Sequence, residues 1–228
     1  MAENMKKGLL ITFEGPEGSG KSTQSELIYE SLEADGYPSL RTAEPGGTAL
    51  GERIRNILLE RDDIRMDSLA ELFLFQADRA QHVEEVIRPA LDAGTWVLCS
   101  RFFDSTTAYQ GYGAGLDLKM LNEINAIASG SLVPDLTIVF DLDPEKGLER
   151  VSQRGIYAGA ESGPKDRMED KKLEFHQRVR KGFIELADRN SGRIKVVDAS
   201  GDENQVLVSI KAVIDGFLSG SHRQEDAE

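Results

Sequence analysis

An α/β fold with a five-stranded parallel sheet and helices on both faces follows from three features of the sequence. Short apolar runs rich in β-branched residues recur along the chain. Longer stretches with apolar residues at helical spacing separate them, and no Pro-, Gly- or Ser-rich linker divides the chain. Strands that alternate with helices imply parallel pairing, since each strand must be regained through a crossover. Right-handed crossovers then gather the loops after the strands on one edge, where folds of this class bind ligands.

The strands are expected in LLITFEG (9–15), SLRTAEP (39–45), TWVLCS (95–100), LTIVFDL (136–142) and IKVVDA (194–199). Helical spacing runs through STQSELIYESLEADG after the first strand and through MDSLAELFLFQADRAQHVEEVIRPALDAG (66–94). Two stretches are irregular in composition: GIYAGAESGPKD (155–166) and the polar tail GSHRQEDAE (220–228), which is expected to be disordered. The expectation is one domain over 1–219.

Composition excludes several classes. No apolar run approaches the roughly 20 residues that span a bilayer. The N-terminal MAENMKKGLLITF leads into an acidic, Gly-rich loop rather than a cleavage site, so it does not read as a signal peptide. The single cysteine, Cys99, rules out an internal disulfide and fits a reducing compartment; with three scattered histidines it also argues against structural zinc. A net charge of −13 opposes broad nucleic-acid binding, which needs cations against phosphate. The chain reads as a cytoplasmic protein with no membrane or nucleic-acid partner, whose polyanionic ligand would need a locally basic pocket.

That pocket begins in the loop after the first strand. Gly15, Gly20, Lys21 and Ser22 satisfy G-x-x-x-x-G-K followed by Ser or Thr, between a strand and a helix. Residues Gly15, Pro16, Glu17, Gly18, Ser19, Gly20, Lys21, Ser22 and Thr23 are therefore expected to cradle a nucleoside triphosphate. Backbone amides and the helix N-terminus would face its oxygens. Lys21 would bridge the β- and γ-phosphates, Ser22 would ligate Mg²⁺, and Thr23 would touch the α-phosphate or start the helix. Kinases, GTPases and motor ATPases all use such a loop. No guanine-reading sequence appears, which weighs against a GTPase switch. Arg41, Arg53, Arg55, Arg79, Arg101, Arg150, Arg154 and Arg167 recur near strand ends and loops. In so acidic a chain, several of them suggest clamps on phosphate, although any one alone reads better as a solvated charge.

From about Lys7 to Leu218 the chain resembles bacterial thymidylate kinases. The resemblance rests on FEGPEGSGKST (13–23), EPGGT (44–48), FQADR (75–79), RFFDSTTAYQG (101–111), DLDPEKGLER (141–150) and DRME (166–169). It implies transfer of the γ-phosphoryl group from ATP with Mg²⁺ to dTMP, on the way to dTTP, by a homodimer. It further implies that Phe75 stacks on thymine, that Arg79 reads its carbonyl edge, and that Arg101, with Arg55, clamps the acceptor phosphate. Ser105, Thr106 and Gln110 would face the base, Tyr109 the sugar 2′ position, and Glu17 the 3′-hydroxyl. Gly18 stands where some members carry arginine, so the resemblance implies a short lid at about 150–168 that supplies the catalytic arginine as Arg154, accompanied by Arg150 and Arg167. From spacing alone Phe75 reads better as a core aromatic beside Phe73, and Tyr109 reads nearly as well as a buried ring with a satisfied hydroxyl.

Two positions depart from the family pattern. Ser100 precedes Arg101 where an acid is usual, which puts the metal shell in doubt, with Asp104 as a candidate replacement. Ala43 stands where arginine is common, with Arg41 as its candidate replacement. Two other readings compete: a (deoxy)nucleoside monophosphate kinase with different base choice, and a non-catalytic nucleotide-binding regulator.

Overall fold

The computed structural model describes residues 8–59, 65–157 and 167–225. The five expected strands are β1 (Leu10–Glu14), β2 (Ser39–Ala43), β3 (Trp96–Ser100), β4 (Leu136–Asp141) and β5 (Ile194–Asp198). They form one parallel sheet in the order β2-β3-β1-β4-β5. Every residue of β1 and β3 is buried, as a strand covered on both faces requires, whereas edge strands β2 and β5 are partly open. The register sets Phe13 and Ala43 on either side of Ser100, so three strand ends meet at one edge.

Alternate strand residues serve opposite layers. Ile11, Phe13 and Leu98 pack with Ile28 and Leu32 of α1 (Lys21–Ala34) and Ile210 and Ile214 of α9 (Glu203–Glu225). Leu10, Val97 and Cys99 face the other way, toward Val83, Ile87 and Leu91. Val139 and Ile194 meet Val179 and Phe183 of α8 (Leu173–Arg189). This two-sided burial of alternating residues is what makes the strands read as continuous apolar runs.

Three helices at the strand ends shape the site: α2 (Ala49–Leu59), α3 (Ser68–His82) and α7 (Pro144–Tyr157). The Asp67 carboxylate caps α3 by accepting from the Leu69 amide at 2.9 Å. The long helical stretch expected over 66–94 is not uniform. After α3 it passes through a π-helical turn, Val83–Ile87, and resumes as α4 (Arg88–Asp92) with Pro89 in its first turn. Proline has no amide to donate backward, so the hydrogen-bond ladder shifts register there. A second π-helical segment, Thr107–Gly113, follows the short α5 (Phe103–Thr106), and α6 (Leu118–Ala128) comes next. α9 continues through residues 220–225, which composition had marked as irregular; a helix already nucleated gains a hydrogen bond for each residue added. α7 likewise takes in residues 155–157 of the expected irregular stretch, whose remainder, like residues 226–228, lies outside the described residues. Among the described residues no helix is long and apolar enough to cross a membrane.

Candidate active site

The loop between β1 and α1 is held in shape by its own lysine. The Lys21 ammonium donates to the Gly15 carbonyl at 2.9 Å and the Pro16 carbonyl at 2.7 Å, and approaches Ser19 Oγ at 3.3 Å. Gly20 caps α1 with φ 90° and no side-chain bond, leaving the first helical amides to point outward. A Cβ on Gly20 would meet nothing within 4 Å, so backbone conformation and not crowding demands glycine there. Gly18 is glycine for a second reason. Its Cβ would lie 2.1 Å from the Gly147 carbonyl oxygen, and a Cβ on Gly147 would lie 2.2 Å from that of Glu17. The phosphate loop and α7 therefore touch backbone to backbone. Gly147→Ala, although worth up to about 1 kcal/mol in helix propensity, is expected to lower the melting temperature and raise the KM for ATP several-fold, because the clash displaces the loop.

Arg101 leaves β3 in the left-handed region, φ 68°, uncommon for a residue with a side chain. Its amide donates to the Phe13 carbonyl at 3.0 Å and its own carbonyl accepts from the Cys99 thiol at 3.1 Å. That turn aims the guanidinium at the phosphate loop. Nη2 donates to both oxygens of Glu17 at 2.7 and 2.8 Å, and Nη1 to the Tyr109 hydroxyl at 3.2 Å and the Gly15 carbonyl at 3.3 Å. The Tyr109 hydroxyl donates in turn to Glu17 at 2.9 Å. Burial works to raise the Glu17 pKa, but the Arg101 and Lys21 cations and the Tyr109 hydroxyl outweigh it and hold the carboxyl at about 2. Burial likewise opposes the Arg101 charge, and Glu17 and Tyr109 more than restore it.

Behind Arg101, Glu14 is fully buried. It accepts from the Phe102 amide at 2.7 Å and from Ser105 Oγ at 2.5 Å. It thus fastens the start of α5, a role the sequence left open. Burial, then the neighbouring Asp104 carboxylate, pushes its pKa up to about 7. A folded-state value above the ordinary 4.5 means stability is full below pH 4.5 and lost as pH rises toward 7. Glu14→Gln, which cannot ionise, should gain on the order of 2 kcal/mol relative to the parent between about pH 5 and pH 8 in thermal melts. Asp78, also raised to about 7 by burial and then Glu44, would leave part of the slope.

The third wall is α3. Arg79 is almost wholly buried; its Nε donates to Glu44 at 2.8 Å, and its Nη2 lies 2.8 Å from the same carboxylate oxygen as an ion pair. Its Nη1 reaches Thr106 Oγ1 at 3.1 Å, Gln76 at 3.2 Å and Asn125 at 3.3 Å. Phe75, one turn earlier, is half-buried and opens on the same cavity, while Phe73 points outward, 53% exposed. Gln110 donates to Glu71 at 3.1 Å, and Arg167 pairs with the same carboxylate at 2.7 Å.

One cavity of about 300 Å³ joins these walls. Glu17, Gly18, Ser19, Gly20, Lys21, Ser22 and Thr23 line it. Arg55, Phe75, Arg79, Ser100, Arg101, Ser105, Thr106, Tyr109 and Gln110 also line it. Gly15 and Pro16 contribute carbonyls to Lys21 from behind. Arg150 does not line the cavity: it donates to the carbonyls of Ala199 at 3.1 Å and Ser200 at 3.4 Å, tying α7 to the turn after β5. The Arg154 side chain and residues 158–166 lie outside the described residues. Arg41 pairs with Glu26 of α1 at 2.5 Å and leaves Ala43 alone at the cavity. Asp104 is committed to Arg193 at 2.7 and 3.0 Å, so it does not replace the acid absent at Ser100. Sequence reasoning missed Glu71, Gln76, His82 and Asn125. Glu71, Gln76, Asp78, Arg79 and His82 are all buried on α3 at spacings that form one face, and a polar stripe set among apolar residues was the signal available.

Sheet order and loop place the protein among the P-loop nucleoside monophosphate kinases, whose chemistry needs a cradle for the donor phosphates and a second cationic surface within reach of it. The chain belongs to the thymidylate kinase family: the Thymidylate kinase family model matches residues 13–210. Thymidylate kinase of Solidesulfovibrio magneticus is 49% identical over 210 residues, covering 92% of this chain and 100% of that protein. That of Carboxydothermus hydrogenoformans is 49% identical over 214 residues, covering 94% and 98%. The crystal structure of thymidylate kinase from Ehrlichia chaffeensis superposes with a TM-score of 0.73 at 34% identity, covering 91% of this chain and 99% of that one.

Proposed function

We infer that the protein transfers the γ-phosphoryl group of ATP to dTMP, giving ADP and dTDP for dTTP synthesis. The observation that carries this reading is that Lys21 and Arg101 open onto the same cavity, together with Phe75 and Arg79. ATP lays its phosphates along the loop and the α1 N-terminus. dTMP sets its phosphate against Arg101 and Arg55, with its base against Phe75, Arg79, Thr106, Ser105 and Gln110. An incoming phosphate competes with Glu17 for the Arg101 fork, and Glu17 so released accepts from the sugar 3′-hydroxyl, while Tyr109 crowds the 2′ position. Catalysis is then positioning plus charge neutralisation.

The donor set suits Mg²⁺, a hard cation that keeps several waters. Ser22 is exposed at the cavity and Ser100 lines it, offering hydroxyls beside the donor phosphates. Ser22 would hold the ion and Ser100 one of its waters; when bound, the ion neutralises charge on the phosphate oxygens. From the lid, Arg154 reaches the transferring group and Arg167 anchors the segment through Glu71.

The deciding experiment is dTMP-dependent ADP formation with Mg²⁺, run against dUMP, UMP and AMP. dTMP is expected to be the best acceptor. Faster turnover of UMP or AMP would replace this reading by another base choice, and tight binding of both nucleotides without turnover would point to a regulator. A rate increase in Ser100→Asp would show that serine weakens the metal site.

The protein acts as a cytoplasmic homodimer on this reading. Leu50 and Ile57 on α2 and Leu69 and Phe73 on α3 are 47%, 50%, 40% and 53% exposed on adjacent helices, an apolar surface suited to a second copy. Light scattering should give a dimer, and Phe73→Asp should shift it to monomer; a monomeric parent at micromolar concentration would refute the assembly.

A further inference from the structure

Two arginines assigned to opposite ends of the acceptor are anchored by consecutive residues of one loop. Glu44 accepts from Nε of Arg79 and pairs with its Nη2, and the Pro45 carbonyl accepts from Nη1 of Arg55 at 2.7 Å. α3 grips that loop closely. His82 Nδ1 lies 3.1 Å from the second oxygen of Glu44, and its Nε2 lies 2.7 Å from Thr42 Oγ1. The Gly46 amide donates to Asp78 at 2.9 Å. A Cβ on Gly47 would sit 2.6 Å from His82 Nε2 and 2.8 Å from Thr42 Oγ1, so nothing larger than glycine leaves that hydrogen bond intact.

We propose that Glu44 and His82 are positioning residues for acceptor recognition: the Thr42–His82–Glu44 relay fixes the plane of the Arg79 guanidinium and ties it, through Pro45, to Arg55. A carboxylate only accepts, so Nδ1 of His82 carries the proton that meets Glu44. Among the guanidinium nitrogens, Nε donates to Glu44, Nη2 lies 2.8 Å from the same carboxylate oxygen as an ion pair, and Thr106, Gln76 and Asn125 share the hydrogens on Nη1. Nη2, which makes no hydrogen bond among the described residues, is the nitrogen available to a base carbonyl, and Glu44 sets its direction by holding Nε and pairing with the cation. Glu44, His82 and Cys99 also bring ligand atoms within 4.8 Å of one another. The Arg79 cation already occupies that carboxylate at 2.8 Å, so the group acts as an anchor for a guanidinium and not as a cation site. The consequence is selectivity: a donor held in one direction favours a ring carbonyl over an exocyclic amine, and a loosened one discriminates less.

This inference rests on the thymidylate kinase reading of the cavity. The test is steady-state kinetics of His82→Leu, His82→Asn and Thr42→Val with dTMP, dCMP and ATP. Losing a charge-assisted anchor should raise the KM for dTMP about tenfold in His82→Leu and lower the dTMP-over-dCMP preference by a similar factor. The KM for ATP should stay within about twofold, since none of the relay's side-chain hydrogen bonds reaches a residue of the phosphate loop. His82→Asn, whose amide nitrogen sits near the place of Nδ1, should recover most of the loss, and Thr42→Val should move the same constants about threefold. Unchanged base preference in His82→Leu, or equal losses in both histidine variants and for both substrates, overturns the proposal. Should His82→Leu fail to fold, the same criteria apply to Thr42→Val. A parent enzyme that does not phosphorylate dTMP defeats the reading of the cavity; an active parent with unselective variants defeats this inference alone.

Discussion

Arg101→Ala is expected to lower kcat/KM for dTMP by about three orders of magnitude while leaving the KM for ATP within about threefold. Two negatively charged groups must come together for transfer, and the Arg101 fork is the cation that faces the acceptor side of the phosphate loop. Arg101→Lys should recover no more than about tenfold, because an ammonium cannot match a phosphate with two parallel bonds. The same variant changes stability in a defined direction. Glu17 sits at about 2, below its ordinary 4.5, so in the parent the group stabilises the fold above pH 4.5 and the contribution is lost as pH falls toward 2. Without Arg101 the burial of Glu17 is opposed by less positive charge, its pKa rises, and the acid limb of the melting curve flattens. A series of melts over that acid range checks this; an unchanged acid limb would mean that Arg101 is not what holds the carboxyl ionised.

Lys21→Ala should reduce kcat by about three orders of magnitude with dTMP affinity held within about threefold. Two effects add. The cation that would meet the donor phosphates is gone, and the Gly15 and Pro16 carbonyls lose the donor that curls the loop. The second effect should cost about 1–2 kcal/mol of stability, the size of a buried charge-assisted hydrogen bond. Calorimetric titration with dTMP separates the two sites, since Arg101, Arg79 and Phe75 are untouched. A kcat within tenfold of the parent would remove Lys21 from the mechanism.

Sheet and helices were legible because their signals are local. Each strand showed as a β-branched run and appeared within two residues of its expected limits, and the phosphate loop lies between β1 and α1 as its spacing demands. The interruptions were less visible. Pro89 marks a break in the ladder, yet a π-helical turn lets the helix carry on past it. Within the site, Phe75 and Arg79 stand four residues apart, one turn of α3, and both line the cavity. Glu44 and His82 gave no such sign, because a carboxylate in a loop and a histidine on a helix have no local reason to meet.

The sequence by itself determined the α/β class, the position of the phosphate loop and the family to which the chain belongs, since periodicity and motif spacing are properties of neighbours along the chain. Tertiary structure alone decided which partner holds each arginine. Arg41 was drawn to Glu26 and Arg150 to Ala199, while Arg79 was set by Glu44 and Arg101 by Glu17. A guanidinium goes where an acceptor waits in a buried or half-buried place, and for Arg79 and Arg101 that acceptor comes from a distant strand end that only the folded sheet brings alongside.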